Sequence, residues 1–127
     1  MAEGDRNLTG VWLGLYSYPR AREPVTFTAT LMEAGSSVSG TVHETVRGVT
    51  YTALLDGARD ENTVAITKVY DDAKPHGKRI VYQGMLSTDG TEIEGRWIIP
   101  GSWSGKFLMI RSAGPRQSVI REVFEKT

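Results

Sequence analysis

Hydrophobic and polar residues alternate along most of this chain, in short runs rich in Val, Ile, Thr and aromatics separated by turn-forming residues. The period of two predicts eight strands, at roughly 10–18, 24–32, 38–46, 49–57, 63–70, 79–87, 91–99 and 104–112. Glu33-Ala34-Gly35-Ser36-Ser37, Gly57 to Asn62 and Ser87-Thr88-Asp89-Gly90 read as compact turns at one end. The alternate connections, Pro19 to Glu23, Asp71 to Lys78 and Pro100 to Trp103, are longer or carry aromatics and mark the other end as a mouth. Strands joined in this way form an antiparallel up-and-down meander. About eight of them close into a β-barrel whose interior is filled by side chains or holds one small ligand. After Gly114-Pro115 the period changes: Val119, Ile120, Val123 and Phe124 recur at helical spacing, which predicts a short C-terminal α-helix over about 115–126. Residues 1–127 therefore read as a single all-β domain, with the barrel over about 8–112.

Alternation also sorts side chains into lumen and exterior. With Trp12 inward, the turn end collects Leu31, Val38, Leu55, Val64, Leu86 and Ile93 together with Trp12 and Arg111, an apolar plug. The mouth end collects Tyr16, Tyr18, Glu44, Tyr51, Lys68, Tyr70, Tyr82 and Trp97. A lumen that is apolar at one end, and aromatic with two opposite charges at the other, suits a small molecule, so these eight residues are the candidate ligand-binding set. Glu44 and Lys68 serve either to fix a polar end of the ligand or to neutralise each other, since a buried charge without a partner is costly. Glycines at 14, 40, 84, 95 and 105 either add room or relieve the bending that closure demands. Outward Val11, Leu13, Leu15, Ile98, Leu108 and Ile110 form an apolar wall on the seventh, eighth and first strands. That wall calls for a cover: the helix, a second subunit, or both. A homodimer is expected.

Composition narrows the partners. Fifteen basic residues balance fifteen acidic ones, so no net field favours nucleic acid or an anionic membrane. The absence of cysteine excludes disulfides, thiolate metal sites and cysteine nucleophiles. Without an apolar leader or a bilayer-length apolar run, a cytoplasmic protein is expected. Of the two histidines, His43 faces outward and His76 lies in a mouth loop, and Asp71-Asp72 has too few ligands nearby, so neither a metal nor a cofactor is predicted.

Several short motifs carry a resemblance. Gly10-Val11-Trp12 near the start and Arg111 closing the last apolar strand resemble the calycins, the superfamily of lipocalins, fatty-acid-binding proteins and avidins, over about residues 8–112. In that superfamily the tryptophan packs inside the first strand beneath an arginine from the last, which implies that Trp12 and Arg111 stack. Val38-Ser39-Gly40-Thr41, Leu55-Asp56-Gly57, Tyr82-Gln83-Gly84 and Trp97-Ile98-Ile99 are similar in order and spacing to avidin and streptavidin motifs. Where that family places polar groups around the biotin ureido ring, this chain has Gly14, Tyr18, Val42, Glu44 and Gly105, so biotin is not the expected ligand. Trp97 matches a ligand-facing tryptophan of the family, and Tyr82 is an aromatic substitute. Gly10-Val11-Trp12-Leu13-Gly14 with Tyr18-Pro19 also resembles the opening of nitrobindin, a haem-binding barrel. The proximal histidine that its iron requires near the chain's end has no counterpart here.

The leading expectation is therefore binding of a small, partly aromatic or amphipathic molecule in the lumen, between Tyr82 and Trp97. One alternative is an assembly protein whose barrel is packed solid and whose surface is the functional part. The other is a small enzyme using Glu44 as general acid or base with Lys68 as an electrophilic partner, although no nucleophile and base pair supports it.

Overall fold

In a computed structural model, which describes residues 7–17, 24–46, 48–70 and 79–111, eight antiparallel strands close into one barrel. They are β1 (Gly10–Tyr16), β2 (Val25–Ala34), β3 (Ser37–Val46), β4 (Val49–Asp60), β5 (Thr63–Tyr70), β6 (Arg79–Leu86), β7 (Glu92–Ile98) and β8 (Ser104–Arg111). Each pairs with its neighbours in sequence, and β1 pairs with β8 from Trp12 opposite Arg111 to Tyr16 opposite Phe107. Every backbone edge is thereby used, which removes the exposed strand that an open meander would present.

Two turns are tighter than the sequence pattern suggests. Gly57 to Asn62 was expected to be a turn, yet β4 continues to Asp60 and only Glu61 and Asn62 reverse the chain. Likewise β2 runs on to Ala34 and β3 begins at Ser37. Two-residue hairpin loops match the strand twist when their residues take positive φ. Gly35 does so at 63° and Glu61 at 56°. Gly57 is held within the sheet by pairing with Val38 and Ile66, and the position needs glycine because the backbone of Ala65 and Ile66 lies where a side chain would stand.

The inward parity set by Trp12 holds around the barrel. Trp12, Phe27, Ala29, Leu31, Val42 and Ala53 are buried, as are Val64, Ile66, Lys68, Tyr70, Tyr82, Leu86, Ile93, Trp97, Phe107 and Met109 on β5 through β8. Outward positions of β2 and β3, such as Thr26, Thr30 and His43, are exposed. On the outer wall, Leu15, Leu108 and Ile110 form a second apolar cluster, buried within a single chain, with Leu13 packed against it. The helix expected over 115–126 lies outside the described residues. No described helix is long and apolar enough to cross a membrane.

The turn end is a closed floor. Arg111 places its guanidinium carbon 4.5 Å from the centre of the Trp12 ring. Its nitrogens donate to the carbonyls of Asn7 (2.7 Å), Thr9 (3.3 Å) and Gly90 (3.0 and 3.2 Å). Trp12 Nε1 donates to the Leu8 carbonyl at 2.9 Å, and Leu8 itself is fully buried. Gly10 sits beneath Arg111 with φ at 140°, a conformation side-chain-bearing residues rarely adopt, which accounts for the glycine two positions before Trp12. Outside the floor, Glu33 accepts from the Leu8 amide (2.9 Å) and from Arg59 Nε (3.0 Å), pinning the incoming chain against β2 and β4.

Candidate functional site

At the other end of the lumen, alternation carries polar side chains inward. Glu44 from β3 and Lys68 from β5 are the buried charged residues among those described, at 2 % and 1 % exposure. Their side chains meet across the lumen, Lys68 Nζ lying 3.1 Å from Glu44 Oε1. The other carboxylate oxygen, Oε2, accepts from the hydroxyls of Tyr16 (3.0 Å) and Tyr70 (2.9 Å). A buried carboxylate requires this degree of satisfaction, because charge taken out of water must be both paired and hydrogen-bonded.

The ammonium is held by ring faces as well as by charge. Lys68 Nζ lies 4.8 Å from the ring centre of Tyr16, 4.9 Å from Tyr70 and 5.2 Å from Tyr82, all within cation–π range. Burial pushes the Tyr70 phenol well above the usual tyrosine range; the Lys68 charge works against that shift and the Glu44 charge adds to it. Tyr70 is therefore a neutral donor at ordinary pH.

The remaining aromatics pack around this cluster. Trp97 stands edge-on to Tyr16 with ring centres 6.0 Å apart, and its Nε1 donates to the Ser17 carbonyl at 2.8 Å. Tyr51 meets Tyr70 edge-on at 6.4 Å and is itself only half-buried. Of the eight residues expected to bind ligand, the fold brings seven to one end of one lumen: Tyr16, Glu44, Tyr51, Lys68, Tyr70, Tyr82 and Trp97. Tyr18 lies outside the described residues.

Phe27 and Phe107 belong to the same neighbourhood and are absent from the sequence-derived set. Phe27 tilts against Tyr16 at 6.1 Å, and Phe107 stands edge-on to Tyr82 at 5.0 Å. Both face glycines: Phe27 is the cross-strand partner of Gly14, and Phe107 of Gly95. A methyl group at Gly14 would fall within the Phe27 ring, and one at Gly105 would meet the Trp97 indole and the Ser17 carbonyl. At these positions, the room that glycine leaves is filled by an aromatic ring of the protein itself. A glycine directly opposite an aromatic on the neighbouring strand is the signal that could have found them.

Between the cluster and the floor lies a cavity with about 20 Å³ of space open to the centre of a water molecule, room for about one water. Its wall is apolar, formed by Phe27, Val42, Leu55, Ile66, Phe107 and Met109 among others, with Lys68 and Tyr82 on the side of the cluster. Toward the mouth the inward apolar side chains are less fully buried. Val25, Tyr51, Ile80 and Ile99 pack on the core yet stay partly exposed, whereas the inward residues of the turn end are buried. Among the described residues, no three His, Asp or Glu side chains converge as a metal ion would require. Neither a known protein-family profile nor a curated protein sequence matches this chain.

Proposed function

We propose that this barrel is a binding module for a small, partly aromatic or amphipathic molecule other than biotin. The ligand is taken at the mouth end of the lumen, its polar end on the Glu44, Lys68 and tyrosine cluster and its apolar part against the rim of Val25, Tyr51, Ile80 and Ile99. The observation that carries this reading is the buried ion pair behind a half-buried apolar rim. A barrel that needed only a core would be served as well by apolar side chains, since replacing a buried ion pair with hydrophobic residues of similar volume is often neutral or stabilising. A closed eight-stranded barrel with an arginine stacked on a tryptophan at its floor supports placing the chain among calycin-like proteins, with lipocalin- and avidin-like relatives. Biotin fits poorly, because Gly14, Val42 and Gly105 offer no polar side chain and Glu44 is already engaged by Tyr16, Tyr70 and Lys68.

Native mass spectrometry of protein purified from its own host tests the proposal. A retained small molecule that is released on denaturation is the expected result. An empty barrel that also ignores a panel of small aromatic compounds overturns it.

The size of the interior cavity favours a second reading, in which the barrel is packed solid and acts through its surface. Leu54 and Val69, cross-strand partners on the outer face, are 52 % and 39 % exposed, and Trp103 is 50 % exposed. The wall of Leu15, Leu108 and Ile110, where the sequence places the interface, is already buried within one chain, so on that reading light scattering gives a dimer that Leu54→Lys dissociates.

A further inference from the structure

We infer that the lumen selects an uncharged ligand, and that Glu44 is the residue that sets this selectivity. The inference rests on the binding function proposed above and names the chemical class of its ligand. It starts from a count of charge. Among the described residues the lumen buries one carboxylate, Glu44, and one ammonium, Lys68, in contact at 3.1 Å. The tyrosines around them contribute neutral hydroxyls and ring faces. Arg111 lies at the opposite end, with its nitrogens on backbone carbonyls and its plane on Trp12. Among the described residues, the buried charges of the lumen therefore cancel, the Lys68 ammonium being matched by the Glu44 carboxylate.

An anionic head group would have to take Lys68 from Glu44, leaving two negative charges beside one positive one in a water-poor interior. A cationic head group would meet Lys68 and the same imbalance with opposite sign. Either case buries a net charge, which is far costlier than burying a neutral polar group that exchanges hydrogen bonds. A hydroxyl, ether, ketone or amide can accept from Lys68 or a tyrosine hydroxyl without changing the charge count. The class that fits is thus an apolar molecule with one or two neutral polar atoms, rather than a carboxylate, sulfonate or amine.

The same arithmetic makes Glu44 a selectivity switch. Glu44→Gln keeps the side-chain shape and the hydroxyl partners but leaves the lumen with a charge of plus one, which an anion would neutralise.

Two dyes of nearly the same skeleton test this directly: uncharged N-phenyl-1-naphthylamine and its sulfonated counterpart 8-anilino-1-naphthalenesulfonate, titrated by fluorescence. The wild-type barrel should bind the uncharged dye at least about tenfold more tightly, and Glu44→Gln should reverse the preference. A wild-type barrel that binds the sulfonate as well as the neutral dye overturns the inference while leaving lumen binding intact. If neither dye binds the folded wild type, lumen binding of such molecules fails, and the inference falls with it. Should Glu44→Gln not fold by circular dichroism, the double variant Glu44→Gln with Lys68→Met restores neutrality. It must then keep the preference for the uncharged dye; a preference for the sulfonate would overturn the inference equally.

Discussion

The two ends of the barrel each hold a cation against aromatic rings, and each satisfies it differently. At the floor, Arg111 spreads its charge over a planar guanidinium stacked on Trp12 and delivers its nitrogens to the carbonyls of Asn7, Thr9 and Gly90. Its partners among the described residues are carbonyl dipoles, several of which its fork of donors matches at once, and Arg111 remains partly accessible to solvent. In the lumen, Lys68 is a compact ammonium with almost no exposure, and ring faces are joined by a full counter-charge from Glu44. Arginine at the floor works as a lock between chain segments. Lysine in the lumen draws in a carboxylate, and the carboxylate in turn draws in two tyrosine hydroxyls.

Removing each cation should break this comparison most clearly. Lys68→Met leaves Glu44 buried without its counter-charge, and urea unfolding should show a loss of about 3–5 kcal/mol. Glu44→Gln combined with Lys68→Met should cost less than the sum of the single changes, since the residues act as a unit. Additive losses would mean that the pair does not couple. Arg111→Ala should cost about 1–3 kcal/mol through lost stacking and unsatisfied carbonyls, read as a lower melting temperature. Arg111→Lys should recover only part of it, because an ammonium cannot reproduce the fork.

Gly14→Ala addresses how tightly the mouth half is filled. The new methyl collides with the Phe27 ring, and a loss of about 1–2 kcal/mol is expected, with part of it restored by Phe27→Leu in the same chain. No loss would mean that the ring yields readily and that the upper lumen is more adaptable than it looks.

The smallest effect concerns alkaline pH. Because burial raises the Tyr70 phenol above the ordinary value of about 10, the unfolded chain releases this proton before the folded one does. Tyr70 therefore stabilises fully below pH of about 10, and its contribution declines as pH rises above that value. Wild-type protein should lose stability more steeply than Tyr70→Phe above this pH. Parallel curves would place Tyr70 in contact with water.

Much of this was legible in the chain itself. A period of two and an up-and-down connection dictate which residues share a face and an end, so Trp12 with Arg111, and Glu44 with Lys68, could each be placed at one end of the lumen before any coordinates. The stacking of the first two followed from the calycin resemblance, and an ion pair between the second two stood beside ligand contact as an alternative. What alternation cannot encode is distance across the lumen. It therefore gave no warning that Tyr16 and Tyr70 converge on the same carboxylate oxygen, or that Phe27 and Trp97 fill the space over Gly14 and Gly105. Turn lengths were misjudged for a related reason. Gly57 and Asp60 are turn-forming by type, yet neighbouring backbone holds both in β4.

The pairing of β1 with β8 has a consequence for how this chain reaches its native state. Seven of the eight ladders join strands adjacent in sequence and can form as soon as each hairpin exists. The eighth joins residues about a hundred positions apart. During synthesis β1 must wait for β8, its outer edge unpaired until Arg111 arrives to clamp the carbonyls of Asn7 and Thr9. Closure is thus the step of longest sequence separation and the natural candidate for the slowest one. A released chain ending before residue 104 would present two open sheet edges, on β1 and β7, to every neighbouring chain.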